Sequence, residues 1–317
     1  MACKHLLSIC IPTFNRARYL EKCLNAIVSQ EGFGDVEIVI SDNCSTDDTE
    51  CVGRKYDALY DNVHYFRNNE NLADMNFPLA FQRASGSLRK LTNDTVIYKP
   101  GAIRYMLNAA KENVETKPQV YFLSKGVFSM DCKKIQSLDD YIVTLGFNLT
   151  WIRSIAIWED DCEDLDVLVT KAESKLAQVP FLLENFKKRG SAVLYDQEIM
   201  DGQSVQKKNL SYGLYKVFYE TFLGFIKPYV DEGALSLKSF ENLRKDLLLN
   251  FFCEWIVKKE MDPDKYVFSA EKLRDLVENA YEKESYFGEY RKKLRRLMVK
   301  KKIKNMVDWF GLSRRGN

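Results

Sequence analysis

Apolar residues open the chain in a short unbroken run, Leu6 to Pro12 (LLSICIP), β-prone and ended by a proline, the pattern of a strand buried on both faces. The spacing then becomes helical: Leu20, Cys23, Leu24, Ile27 and Val28 recur every third or fourth position from Arg16 to Gln30, with Asn15 placed to cap them. A second strand, VEIVISD at 36–42, ends in an acid and is followed by Ser45, Thr46, Asp47, Asp48 and Thr49, a strong helix start. NVHYFRN (62–68) predicts a third strand, Met75, Leu79 and Arg83 mark the next helix, and SLRKLTND (87–94) a fourth strand. Pro100 and Gly101 open a helix through Ala110. Strand and helix thus alternate four times within about 110 residues, which predicts an α/β fold with a mostly parallel sheet flanked by helices.

Beyond Lys117 the signal loosens, with a strand expected at QVYFLSK and a mixed stretch to Gly146. From about residue 204 the pattern turns helical. Tyr212, Tyr215, Phe218, Tyr219, Phe222, Phe225 and Ile226 form a wide apolar stripe, read as core, and helical spacing continues through 236–259, 269–283 and 287–310. The expected domains are therefore 1–203, α/β, and 204–317, helical.

Composition changes this picture in two places. The 317 residues carry 47 Lys and Arg against 45 Asp and Glu, so the average charge says nothing of partners. Between Tyr290 and Arg315, however, eleven basic residues face the single acid Asp308. In this tail Tyr290, Leu294, Leu297 and Met298 form one apolar stripe and Val299, Ile303, Met306 and Val307 another, on nearly opposite sides of a helix. Either the helix bends near the triple lysine at 300–302, or one stripe packs while the other meets something else. A basic amphipathic tail at about 287–315 with Trp309 and Phe310 suits an anionic lipid surface. No RNA-binding motif accompanies it, so nucleic acid is not expected as a partner. The eight cysteines show no CxxC pairing, no run reaches the roughly 20 apolar residues of a membrane span, and the N-terminus lacks a signal-peptide layout. A cytoplasmic protein is expected. With two histidines, His5 and His64, a His-rich metal site is excluded.

In an open parallel sheet, ligands gather at the carboxyl ends of the strands. The residues following each expected strand are polar: Thr13, Asn15 and Arg16; Asp42, Asn43 and Ser45; Asn68 to Asn71 and Asp74; Asn93, Asp94 and Thr95. Together they could grip a ribose, a base edge and a diphosphate. Asp42 alone could be no more than a helix cap.

The run SICIPTFNRARYLEKCLNAIVSQ, followed by VEIVISDNCSTDDTE, NENLADMNF and an A-S-G-S segment with an acidic turn before PGAI, resembles the family 2 glycosyltransferases of the GT-A fold, over roughly residues 6–110. The resemblance implies a Rossmann-like domain that binds a nucleotide-diphosphate sugar. Pro12, Thr13, Asn15 and Asp42, with Asn71, Asn93 and Asp94, would hold the nucleotide and diphosphate. It also implies an inverting transfer to a polysaccharide or lipid-linked glycan, of the kind used in surface polysaccharide or lipopolysaccharide O-antigen synthesis, at the inner face of the membrane. A D-x-D-D turn in that family supplies ligands for a divalent metal, Mn or Mg. Here the turn reads Asn93, Asp94, Thr95, Val96, which leaves Asp94 as its only carboxylate and puts Thr95 at the usual metal-ligand position. One acid can suffice, because such ions take much of their shell from phosphates and water. The turn resembles a variant in lipopolysaccharide-type members.

The family's catalytic base is a carboxylate before a glycine-terminated helix. That helix here is QVPFLLENFKKRG, and the aligned position, Gln178 to Pro180, has no acid. The nearest acids are the cluster WEDDCEDLD (158–166) and Glu173; Asp161, then Asp160, are the candidates, because Trp151, Ile157 and Trp158 could bring that segment against the cleft. A solvated acidic loop is the plainer reading of the cluster. Two other classes remain open: a catalytically silent relative that binds a sugar or a partner, supported by the missing acids, and a sugar nucleotidyltransferase, opposed by the absence of glycine in IPTFNRARYL.

Overall fold

The computed structural model describes residues 5–124, 132–203, 208–209, 212–267 and 272–309. The chain falls into two compact units, one of Met1–Ser137 with Asn148–Ser204, the other of Leu138–Phe147 with Val205–Asn317. The stretch 138–147 lies within the first expected domain by sequence yet belongs to the second unit.

The first unit contains, in chain order, β1 (Leu7–Thr13), α1 (Ala17–Val28), β2 (Val36–Asp42), α2 (Thr49–Leu59), β3 (Val63–Arg67), α3 (Asn76–Arg83), β4 (Leu88–Leu91), β5 (Val96–Tyr98), α4 (Ala102–Asn113), β6 (Gln119–Phe122) and β7 (Cys132–Ile135). After α5 (Leu138–Leu145), which belongs to the second unit, come β8 (Ile155–Trp158), α6 (Asp166–Thr170), α7 (Gln178–Arg189), β9 (Ala192–Tyr195) and β10 (Met200–Gly202). Eight strands form one sheet in the order β3-β2-β1-β4-β8-β6-β9-β7, in which β8 and the edge strand β7 run against the other six. β5 and β10 pair separately as an antiparallel ribbon. Every residue of β1 and β2 is buried, as the unbroken apolar runs require. Leu7, Ile9, Ile11, Ile38 and Ile40 on one face pack with Leu20, Leu24 and Ile27 of α1 and with Ile103 and Met106 of α4. Each such side chain contributes about 1.5–3 kcal/mol.

A carboxylate locks the amino ends of the strands. Ser8 Oγ donates to Glu37 Oε2 (2.5 Å), and Ser85 donates to the same carboxylate through its N–H (2.7 Å) and hydroxyl (2.9 Å). Gly86 N–H donates to Ser8 Oγ (2.8 Å); a Cβ at Gly86 would stand 2.3 Å from that oxygen, which is why the A-S-G-S turn needs glycine.

The second unit is helical: β11 (Lys208–Asn209) pairs with β12 (Tyr266–Val267), and the rest is α8 (Phe222–Asp231), α9 (Leu237–Asp246), α10 (Cys253–Met261), α11 (Leu273–Tyr281) and α12 (Phe287–Trp309). Two π-helical stretches, Lys216–Thr221 and Leu247–Phe252, lead into α8 and α10. Part of the aromatic stripe is core: Phe222 and Ile226 are wholly buried and the Phe218 ring lies 4.2 Å from that of Phe251, while Tyr212, Tyr215, Tyr219 and Phe225 are half-buried. α12 is one helix. Its first stripe packs, with Tyr290 and Leu294 buried, and its second is open, with Val299, Ile303 and Met306 half-exposed. Phe310 and the last two arginines lie outside the described residues.

Candidate active site

Parallel register brings Thr13, Asp42 and Arg67 into one row at the carboxyl ends of β1, β2 and β3. Asp42 is wholly buried. Its Oδ1 accepts from the Ser45 N–H (3.0 Å) and hydroxyl (2.5 Å), its Oδ2 accepts from the Tyr65 hydroxyl (2.5 Å), and Arg67 Nε stands 3.9 Å away. The Tyr65 ring reaches it only because α2 presents Gly53 there, where a Cβ would come within 2.1 Å of the ring. The loop after β1 is then sewn to the loop after β2. Asn15, at φ 51°, accepts from Thr46 N–H through Oδ1 (2.7 Å), and its own N–H donates to Ser45 Oγ (2.9 Å); Arg16 N–H donates to Thr49 Oγ1 (3.0 Å). Asn71 accepts from Asn43 Nδ2 (2.8 Å) and from Ala73 N–H (2.9 Å), shaping the loop after β3.

Thr13 joins this row to the turn after β4. Its hydroxyl donates to Asp94 Oδ2 (2.9 Å), and Arg16 Nη1 stands 3.9 Å from Oδ1. Burial pushes the Asp94 carboxyl up to about 6, against the pull of Arg16 and the Thr13 hydroxyl. Gln203, just after β10, fixes the turn: its N–H donates to the Thr95 carbonyl (2.7 Å) and its side chain to the carbonyls of Tyr19 (3.0 Å) and Asp94 (3.4 Å). Pro12 is buried within β1, while Asn93 and Thr95 are half-exposed beside Asp94. The structure thus gathers Pro12, Thr13, Asn15, Asp42, Asn93, Asp94 and Thr95 at one edge of the sheet, with Asn71 in the loop after β3.

Residues 8–130 match the model of the glycosyl transferase family 2. Over that stretch the chain is similar to the family 2 glycosyltransferases. The abequosyltransferase RfbV of Salmonella typhimurium is 45% identical over 84 residues, 26% of this chain and 21% of that protein. The GalNAc(5)-diNAcBac-PP-undecaprenol β-1,3-glucosyltransferase of Campylobacter jejuni is 33% identical over 108 residues, 33% of this chain and 35% of that one. The chain therefore matches about a fifth to a third of the length of these relatives. Among solved structures, S. aureus TarS 1–349 in complex with UDP-GlcNAc superposes with a TM-score of 0.57 at 15% identity, covering 80% of this chain and 77% of that one. The mannosyltransferase PcManGT of Pyrobaculum calidifontis, in complex with GDP-Man and Mn²⁺, does so with a TM-score of 0.51 at 13% identity, covering 96% and 87%. The fold is GT-A.

Within the first unit the expected catalytic acids lie away from this edge. β8 runs antiparallel to β4, pairing Trp158 with Leu88, so Asp160 and Asp161 emerge at the amino edge of the sheet. Leu88 is level with Leu7, and Thr13 lies six residues further along β1, roughly 20 Å away. Both acids are also engaged: Asp161 is 1% exposed and binds Arg189 (2.5 Å) and Trp158 N–H (3.1 Å), and Asp160 pairs with Lys117 (2.9 Å). Neither can serve chemistry at the carboxyl edge. Periodicity could not show this, because it does not give a strand's direction.

Glu173 lies on the correct side. α7 leads into β9, which runs with β6, so α7 begins at the carboxyl edge, where Gln178 donates to the Thr150 carbonyl (2.9 Å). Just before it, Lys175, at φ 64°, pairs with Asp74 of the loop after β3 (3.1 Å), and Glu173 is exposed in the same turn.

Among the described residues no three His, Cys, Asp or Glu side chains cluster as a metal site. Asp94 is the one carboxylate on the turn after β4, with Thr13 and Arg16 already beside it. It fits a divalent ion as a single protein carboxylate, provided that a bound diphosphate and water complete the shell.

Proposed function

We propose that the chain transfers a sugar from a nucleoside-diphosphate donor to a hydroxyl of a polysaccharide or lipid-linked glycan, with inversion. What carries the reading is the single polar edge on which Thr13 bridges the Asp42 row to the Asp94 turn, inside the family 2 match. The nucleotide would lie over the loops that Asn15, Asp42 and Ser45 hold together, with exposed Phe14 available to its base, and the diphosphate over Asp94 and Thr95. A divalent metal, when bound, would neutralise charge on the departing diphosphate, held by Asp94 with Thr95 beside it. Glu173 replaces Asp161 and Asp160 as the proposed general base: it is the acid of those considered that stands at the carboxyl edge, free to take the acceptor's proton. The relatives' names support the acceptor class, one being an abequosyltransferase and one a PP-undecaprenol glucosyltransferase.

We further propose that α12 rests on the inner face of the membrane. Its open stripe of Val299, Ile303 and Met306 is bordered by exposed Lys300, Lys302 and Lys304, a combination that anionic lipid complements. No helix among the described residues is long and apolar enough to cross a membrane.

Thermal shift with UDP, GDP, CDP and TDP, each with and without Mn²⁺, tests the donor reading. One nucleotide at a hundredfold excess over Kd should add about 2.7 kcal/mol. Mn²⁺ alone should add nothing, since the chain offers it one carboxylate, but it should enlarge the shift of that nucleotide. Absence of any nucleotide shift would remove the proposal. A nucleotide shift without donor hydrolysis or transfer would leave a silent binder, the reading that the missing acid at Gln178 favours.

A further inference from the structure

Two neighbouring cations, Lys90 buried within β4 and Arg153 half-buried ahead of β8, have no carboxylate paired with them among the described residues. Pairing of β4 with β8 stops at Lys90 and Ala156. Just beyond, the Lys90 ammonium, wholly buried, donates to the carbonyls of Leu91 and Arg153 and forms no ion pair among the described residues. Arg153 leads into β8 with its guanidinium over the Trp151 ring (5.0 Å). Its Nη1 lies 3.8 Å from where a Cβ on Gly202 would stand, and Gly202 pairs with Val96, next to Thr95. This guanidinium also has no ion pair among the described residues. Burial lowers the proton affinity of both groups.

The charges around the turn after β4 are therefore unbalanced. Arg16 approaches Asp94 from the β1 side, Lys90 stands four residues before Asp94 in β4, and Arg153 approaches the turn from the β8 side, beside Gly202, which pairs with Val96. Hydrogen bonds to two carbonyls occupy two of the three donors of Lys90 but leave its charge uncompensated, and a desolvated cation beside another is costly unless an anion completes the site. The ligand chemistry that fits is a phosphate group with delocalised negative charge, for which a guanidinium offers a planar, two-pronged donor.

We propose that Arg153, braced through its carbonyl by Lys90, is the β8-side clamp on the diphosphate of the donor. Arg153 binds the phosphate oxygens; Lys90, beneath the surface, positions it and adds its field. This rests on the reading of the chain as a user of nucleoside-diphosphate sugars and names the residues on which the leaving group's charge would fall.

Calorimetric titration separates the two readings. The probes are whichever nucleoside diphosphate stabilises the wild-type protein, its parent nucleoside, and inorganic pyrophosphate as competitor. In Arg153→Gln, diphosphate affinity should fall at least tenfold while nucleoside affinity stays within twofold, and pyrophosphate should cease to compete; Arg153→Lys should recover part of the loss. Equal diphosphate affinity in Arg153→Gln and wild type would overturn the clamp while leaving the donor reading standing. A parallel loss for nucleoside and diphosphate would overturn it too, since a structural role predicts that pattern. Wild-type protein that binds no nucleoside diphosphate at all would remove both readings.

Discussion

Lys90 sits in the middle of the sheet with its ammonium out of water, and burial first, then the neighbouring Arg153 guanidinium, bring it down to about 7. Burial pushes the Cys10 thiol well up, so it stays neutral and offers no compensating charge. The unfolded chain keeps its lysine near the usual value of about 10.4, so between pH 7 and 10 the unfolded state binds more protons than the folded one. Stability contributed through Lys90 therefore rises with pH across that window, and the full penalty is present below it. The nucleotide-free protein should gain about 2 kcal/mol from this group between pH 7 and pH 9, read from urea midpoints, and Lys90→Met should lack that increment. At this scale the sequence was legible where a polar residue follows a buried strand. Thr13, Asn15, Asp42 and Asp94 stood out because nothing apolar could be asked of them there. Tyr65, Gly53, Arg153 and Gln203 did not, because each acts on a residue far away in the chain, and its neighbours in sequence say nothing of that partner.

Strand direction decides which acids can do chemistry. The WEDDCEDLD cluster leaves β8 at the amino edge, held by Lys117 and Arg189, while Glu173 precedes α7 at the carboxyl edge. Glu173→Gln should reduce kcat by about 10²-fold or more with nucleotide binding intact, as loss of a general base does. Asp161→Asn should instead lower stability by about 3 kcal/mol, because Arg189 would lose the partner of a largely buried pair, while the folded fraction keeps its kcat. Asp160→Asn should change neither by much, its pair with Lys117 being half-exposed. Measuring kcat and urea midpoint on the three variants distinguishes the assignments; full activity in Glu173→Gln would end the case for that base. The helix ending at Gly190 was readable from its apolar spacing and its glycine, which takes φ 69° at the C-cap. The short strands β5 and β10 were not, since three residues each give no period to read.

For the whole molecule, the charge excess of the tail falls on a helix that is partly structural. Tyr290 and Leu294 pack in the second unit and Lys301 pairs with Asp262 (2.8 Å), so removing α12 would disturb the unit it belongs to. Substitution on the open face is the cleaner test. Replacing Lys300, Lys302 and Lys304 by Gln should release the protein from anionic vesicles in sedimentation, each lysine contributing about 1 kcal/mol, with its melting temperature unchanged. Retention of full binding would exclude this face as the lipid contact.

The sequence by itself determined the layered α/β plan, the polar rim of its first strands and the helical character of the C-terminal part. These follow from local periodicity and from the need to bury apolar runs. Only the tertiary structure decided which way β8 runs, and so which acids share an edge with Asp94 and which cations stand there without a counter-charge. Direction and long-range pairing arise from closure of the sheet, a property of contacts between segments that no single segment encodes.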